Sequence, residues 1–362
     1  MIKQSLKGLN SRSLADPYNK GFLPLITAPM NTVLCEQTYK YYLDNNVNVC
    51  MPRNQSPHMN SVNCWVSYSL DDFEKIYLDN NAEYEGDFPH YICIDTANGN
   101  MPRLYDSIKK AKSKYKDDLI IMSGNVSSSD AFCELACSGC DYIRVGIGGG
   151  DGCTTTVHTG VGQNCLLELI KECRESIVNT QNEAKRIFTS IDEQLEAGGY
   201  QEGDIIFDNP DLKLQFENIK KVKIVADGIS SYIRKNNLHS NGYAAINNLL
   251  YYGADLVMIG SIFARSKNSA SESIVIDEEN GQKYTYKLHR GMSTKEEQET
   301  YKNGQFKHSE GTEKRYKVEY TLKEWLEGSP KYPNKYPGFI NCIKSAMSYT
   351  GSRNLKEFKH VR

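Results

Sequence analysis

The sequence predicts an α/β chain folded as a (β/α)8 TIM barrel. Two observations carry that expectation. Short apolar runs rich in β-branched residues alternate with stretches of helical periodicity, the pattern of a parallel sheet covered on both faces. Every run also ends in small or polar residues, and in a barrel each strand delivers its following loop to the one face where an active site is built. An open doubly wound sheet would need such endings only at its switch point.

In chain order the runs are PLITAP (24–29), VNVCMP (47–52), YICID (91–95), LIIMSGN (119–125), YIRVGI (142–147), KIVADG (223–228) and DLVMIGS (255–261). The eighth strand is expected near YKLHRGM (286–292). Between them, LYDSIKKAKSKY (104–115) and DAFCELACSG (130–139) have helical periodicity, the second followed by a Gly–Cys stop. Polar and reactive residues fall just past the strand ends: Asn31, Asp95, Asn125, Gly148 to Cys153, Asp227 and Ser261. Residues 1–362 read as one barrel domain. Two polar stretches, at about 176–221 and 234–242, read as surface insertions, too poor in aliphatic residues to bury a core.

Composition narrows the function classes. Charged residues make up 24% of the 362 and hydrophobic ones 39%, which excludes a mainly disordered chain. The formal net charge of −2 offers no bulk attraction to nucleic acid or to an acidic membrane. The start, MIKQSLKGLNSRSL, lacks the apolar segment of a secretory signal, and no window approaches the ~18 apolar residues of a membrane span. Eleven cysteines, an odd number in a long chain, point to a reduced cytoplasmic protein rather than a disulfide scaffold. Cys133, Cys137 and Cys140 have no nearby histidine or second CxxC pair, so zinc is not expected.

The most informative segment is RVGIGGGDGCTTTVHTGVGQ (144–163). A strand runs into a glycine-rich turn, then into Cys153 followed by three threonines. Glycines free such a turn to aim amides or carbonyls at a ligand or ion. A cysteine there is placed for nucleophilic attack, its thiolate favoured by amide dipoles. The plainer reading is a tight turn carrying an incidental cysteine.

This segment resembles the catalytic loop of the IMP dehydrogenase/GMP reductase family, roughly GIGPGS-x-CTT followed by TGVG. The likeness extends in order through SRSLAD (11–16), APMNTV (28–33), IDTANGN (94–100), MSGNVSSSD (122–130), VADG (225–228), GADLVMIGS (253–261), RGMS (290–293), SEG (309–311) and SAMSYTGSRNLKEF (345–358). Within the family the pattern is nearest to GMP reductase. Only about forty residues separate Met51 from Tyr91, too few for the CBS module pair of IMP dehydrogenases. The segment between RGM and Glu310 is short and holds no arginine, so the Arg–Tyr flap that activates water in IMP dehydrogenases is not expected.

The resemblance implies NADPH-dependent reductive deamination of a guanine nucleotide, GMP to IMP plus ammonia. Cys153 would add to the purine C2, with Thr155 and Glu310 handling protons. Asp227, Gly228, Ile229, Gly260, Ser261, Gly291, Met292, Ser293, Ser309 and Gly311 would surround the substrate. Arg53, Asp95, Thr96 and Ala97 would meet the cofactor, and Ser345 and Tyr349 a neighbouring subunit's cofactor site, in a homotetramer. The carbonyls of Gly148, Gly150 and Cys153 would hold a monovalent cation such as K+. From the residues alone, Asp227 before Gly228 reads equally as a helix N-cap, and Thr155 and Glu310 as ordinary loop residues. Two other functions stay open: oxidation of IMP with NAD, and a catalytically idle purine-nucleotide-binding relative.

The chain departs from the family at the 5′-phosphate cup. Asp151 stands where a serine is expected and Ile229 where a second glycine is expected; Gly260–Ser261 is intact. A carboxylate facing a phosphate must turn away, be neutralised by a cation such as Arg265, or face a substrate that is not a simple 5′-monophosphate. APMNTV likewise has Asn31 where the family has Asp.

Overall fold

The computed structural model describes residues 1–5, 7–55, 57, 61–79, 89–196, 217–277, 281–291, 294–301 and 311–360. Eight strands form one parallel sheet: β1 (Leu25–Thr27), β2 (Val49–Met51), β3 (Cys64–Tyr68), β4 (His90–Asp95), β5 (Leu119–Val126), β6 (Tyr142–Val145), β7 (Lys223–Ala226) and β8 (Leu256–Ile259). The order is β1-β8-β7-β6-β5-β4-β3-β2, and a parallel bridge between Ile26 and Asn48 joins the two ends. Asn48 seals that seam: its backbone pairs with Leu25 and Thr27, and its Nδ2 donates to the carbonyls of Leu23 and Leu25 at 2.9 and 2.8 Å. The barrel is closed.

Side chains alternate across the wall with the period of two that a strand imposes. Ile26, Cys50, Trp65, Cys93, Met122, Val225 and Met258 fill the interior. Leu25, Val49, Ile92, Ile94, Ile121, Ile143, Val145, Ile224, Val257 and Ile259 face the surrounding helices. Trp65 lies edge-on to Tyr91 and Tyr142, with ring centroids 5.3 and 4.9 Å apart. The helix Pro102–Tyr115 starts on a proline and buries Leu104, Ile108 and Ala111 on one stripe. The helix Ser129–Cys137 is capped by Ser128, whose Oγ accepts from the Ala131 amide at 3.2 Å.

One strand assignment is corrected. The eighth barrel strand is Cys64–Tyr68, not the stretch around 286–292. Lys283–His289 is instead the central strand, β10, of a three-stranded antiparallel sheet with β9 (Ser273–Asp277) and β11 (Lys314–Lys317). Its first four residues alternate between exposed and half-buried, as in a sheet with one wet face. Cys64–Val66 and Ser67 are buried, but polar neighbours on both sides hide the strand in the sequence.

The helix Leu166–Glu196 crosses the start of the polar stretch at 176–221, and Ile177 on it lies in the core. Residues 197–216 of that stretch lie outside the described residues. In the stretch at 234–242, Arg234 and Lys235 end the helix Ile229–Lys235. Asn241 is buried, donates to the Lys335 carbonyl and accepts from Trp325 Nε1, both at 2.9 Å. Among the described residues no helix is long and apolar enough to cross a membrane.

Candidate active site

The turn after β6 is built by glycine. Gly149 packs directly on Gly228: a Cβ on Gly149 would lie 2.3 Å from the Gly228 carbonyl oxygen, so no other residue fits. The Ser231 amide then donates to the Gly149 carbonyl at 3.0 Å, locking the turn to the end of β7. Cys153 follows, half-buried, with Sγ 3.3 Å from Thr155 Oγ1. Its backbone bridges to Gly311, and the Thr312 amide donates to the Gly152 carbonyl at 2.8 Å. Gly311 and Thr312 therefore lie against the Cys153 turn; Glu310, Ser309, Met292 and Ser293 lie outside the described residues. The Gly150 carbonyl, from the expected cation set, accepts weakly from the Cys153 amide at 3.4 Å.

Beside this turn, a buried arginine joins two carboxylates across the barrel mouth. Arg144 Nη1 lies 2.5 Å from Asp95 Oδ1, and its Nη2 lies 3.0 Å from Asp227 Oδ2. Arg53 reaches the other side of Asp95, with Nη2 3.1 Å from Oδ2. Burial would raise the Asp95 carboxyl, but Arg144 and Arg53 outweigh it and hold it below the usual carboxylate range. Asn125 Nδ2 donates to Asp227 Oδ2 at 2.8 Å. The Asp227 contacts fall on Oδ2, and Oδ1 has no hydrogen-bond partner among the described residues. The N-cap reading of Asp227 fails, because Gly228 caps the helix Ile229–Lys235 and no side chain caps it. One oxygen is thus held and the other presented, an arrangement suited to a sugar hydroxyl.

A second charged group sits after β7 and β8. Asp151 Oδ1 lies 2.5 Å from Arg234 Nη1, and Oδ2 lies 3.3 Å from Arg265 Nη2. The Tyr316 hydroxyl, from β11, also donates to Oδ2, and Arg265 stacks over the Tyr316 ring at 4.4 Å. Burial would raise Asp151; the tyrosine and the two arginines win and keep it ionised. His289 of β10, on the same wall, is pushed down to about 4 by burial and stays neutral at pH 7. Ser230 Oγ and Ser261 Oγ are 2.9 Å apart.

The remaining expected residues divide. Gly260 and Ser261 begin the short helix after β8, and Gly228 sits at φ +79 against Gly149. Ile229 is buried in the core, which turns its side chain away from the mouth. The Gly291 carbonyl accepts from the amide and the hydroxyl of Thr294 at 2.9 and 2.8 Å. Thr96 Oγ1 donates to the Gly124 carbonyl at 2.7 Å beside Asp95, and Ala97 next to it is exposed. Ser345 and Tyr349 lie on the helix Phe339–Thr350, which packs on the helices Tyr243–Tyr251 and Leu322–Glu327; no hydrogen bond or ion pair between described residues joins them to the Asp95 group. Three residues of the mouth were not anticipated: Arg144, Arg234 and Tyr316. Arg144 did leave a signal, a lone charge inside the apolar run YIRVGI.

The family model for the IMP dehydrogenase/GMP reductase domain matches residues 81–184 and 214–362. An inosine-5′-monophosphate dehydrogenase of Chlorobaculum parvum is 29% identical over 277 residues, which is 74% of this chain but 43% of that protein. A GMP reductase of Staphylococcus epidermidis is 25% identical over 348 residues, covering 94% of this chain and 84% of that protein. A GMP reductase of Streptococcus pneumoniae is likewise 25% identical over 348 residues, covering 94% and 83%. The chain thus spans under half of the dehydrogenase and most of the reductases. It belongs to the IMP dehydrogenase/GMP reductase family, oxidoreductases that act on purine nucleotides with a nicotinamide cofactor.

Proposed function

We propose that this chain catalyses reductive deamination at C2 of a guanine nucleotide, with GMP, NADPH and two protons giving IMP, NADP+ and ammonium as the reference reaction. The observation that carries the reading is Cys153, 3.3 Å from the Thr155 hydroxyl and backbone-bridged to Gly311. The thiolate adds to C2, and the amino group leaves as ammonia with a proton relayed through Thr155 and Glu310, which leaves a thioimidate. C2 then receives a hydride, the C–S bond breaks, and Cys153 is restored. Asp227, through its presented Oδ1, takes the sugar hydroxyls; Gly228, Gly260, Ser261, Gly291 and Gly311 complete the substrate wall, with Ile229 contributing its backbone, and the resemblance would add Met292, Ser293 and Ser309.

The cofactor strip fits a dinucleotide: Ala97 is small and exposed, Thr96 is fixed, and Arg53 is a partly exposed cation held by Asp95. Bound there, NADPH would supply the hydride. Ser345 and Tyr349 would serve a neighbouring copy in a homotetramer. The carbonyls of Gly148, Gly150 and Cys153, neutral hard oxygens on one turn, would hold K+.

Reduction is preferred to oxidation because the segment between RGM and Glu310 carries no arginine to activate water. The 29% identity to an IMP dehydrogenase keeps oxidation of IMP with NAD as the second reading. The test is to follow NADPH consumption and ammonium release with GMP. Stoichiometric IMP and ammonium are expected. Formation of xanthosine monophosphate from IMP and NAD at a comparable rate would overturn the reading.

A further inference from the structure

We infer that Asn31 is a positioning residue, which holds the Gly291 segment of the proposed substrate wall through the carboxylate of Glu297. The inference rests on the proposed reading of that wall and deepens it. Its basis is a chain of side-chain bonds that joins segments far apart in the sequence. Gln55, after β2, donates from Nε2 to Asn31 Oδ1 at 2.6 Å. Asn31, after β1, donates from Nδ2 to Glu297 Oε2 at 3.0 Å. Glu297 is buried on the helix Lys295–Tyr301.

The direction of these bonds is fixed from one end. The Glu36 amide can only donate, and it donates to Gln55 Oε1 at 3.1 Å. The other end of that glutamine is therefore its NH2 group, and Asn31 must turn an oxygen to it. The NH2 group of Asn31 then faces Glu297, whose carboxylate accepts. Position 31 needs a side chain that accepts on one side and donates on the other. An aspartate there would set two carboxylate oxygens 3.0 Å apart. Yet Asp is what the family motif has at this position, so in this chain the carboxylate of the corner comes from 297 instead.

From Glu297 the constraint reaches the substrate wall over one turn of helix. Thr294, buried three residues earlier, donates to the Gly291 carbonyl from its amide at 2.9 Å and its hydroxyl at 2.8 Å. The other side of the segment is tied to Thr32. Its Oγ1 donates to the Arg290 carbonyl at 3.2 Å and lies 3.3 Å from His289 Nδ1. Adjacent residues of the loop after β1 thus hold Gly291 from both sides. Without the bond from Asn31 to Glu297, one of the two holds is lost.

The test exchanges carboxylate and amide on the full-length protein, with Asn31→Asp, Glu297→Gln and the double variant. Each is measured by steady-state NADPH consumption and by calorimetric titration with GMP and with IMP. Asn31→Asp should raise KM for GMP about tenfold and leave kcat and KM for NADPH within about twofold. Glu297→Gln should raise it less, because the amide oxygen still accepts from Asn31. The double variant should return to within about threefold of wild type, a strong departure from additivity. In it the amide at 297 donates to the carboxylate at 31, and the net charge that Arg290 faces is unchanged. An unchanged KM and Kd in Asn31→Asp, or a double variant as impaired as Asn31→Asp, overturns the inference. Should Asn31→Asp fail to fold, a double variant that folds and binds GMP supports it, and one that does not overturns it. The titrations separate this role from the chemistry: a wild type that does not reduce GMP removes the C2 reading, while the pattern of Kd values decides the role of Asn31.

Discussion

Arg144 joins the residues proposed for cofactor and for substrate, so its removal tests whether the mouth is one electrostatic unit. Its guanidinium is buried and faces Asp95 at 2.5 Å and Asp227 at 3.0 Å. At an effective dielectric of about 20, each pair is worth roughly 6 kcal/mol of gross Coulomb attraction. Desolvation of the buried guanidinium and of two partly buried carboxylates cancels much of that, and Arg53 remains on Asp95 after the change. The net loss expected for Arg144→Met is therefore about 3–5 kcal/mol, the range for breaking a buried ion pair and stranding its partners. Arg144→Lys should recover less than half, because one ammonium cannot donate to both carboxylates in a fixed plane.

The assay is urea denaturation read by the fluorescence of buried Trp65 and Trp325. The pH dependence has a definite sign. The folded Asp95 carboxyl lies below its unfolded value, so its pairing stabilises the fold fully above about pH 4 and is lost as pH falls through the folded value. The gap between wild type and Arg144→Met should be flat from pH 6 to 8 and close below about pH 4. A gap under about 1 kcal/mol at pH 7, or one that widens on acidification, would refute the reasoning.

Two further outcomes follow. Cys153→Ala should abolish turnover while leaving nucleoside or nucleotide binding within about tenfold, roughly 1.4 kcal/mol, when rates and titration calorimetry are compared; near-normal turnover would remove Cys153 from the chemistry. Burial would raise the Asp255 carboxyl, but Lys359 and Arg174 hold it at about 2, so Asp255→Asn should cost about 2–3 kcal/mol in urea at pH 7. That cost is present above about pH 4 and should fade toward pH 2; a deficit unchanged at pH 2 would contradict it.

Legibility in the sequence followed the range over which each signal acts. Strands buried on both faces announce themselves in a few adjacent residues, and so did the glycine-rich turn at 148–153, where nucleophile, turn and flanking threonines are contiguous. β3 escaped because five residues, CWVSY, carry one β-branched side chain and sit among asparagine and serine. Its tryptophan fills the barrel through contacts to Tyr91 and Tyr142, partners that no local pattern shows. The reverse error at 286–292 came from reading apolar content without alternation; KYTYKLH alternates, and alternation belongs to an antiparallel sheet with a wet face.

The charge pattern of the mouth was the least legible part, and the reason is topological. Arg144 meets Asp227 across 83 residues of sequence, Arg234 meets Asp151 across 83, and Tyr316 meets Asp151 across 165. Parallel strands in a barrel bring successive loops to one rim, so residues far apart in the chain become neighbours there. Each charge read singly is an ordinary polar residue at a loop. Asp151 illustrates the point. Read in the sequence, it is an acid where the resemblance leads one to expect a serine, with Arg265 as a candidate counter-charge. Read on the rim, it is the centre of a group that includes a second arginine from after β7 and a tyrosine from the added sheet. Three separate segments supply donors to that one half-buried carboxylate, which is why it stays ionised there and why no local stretch of sequence shows it.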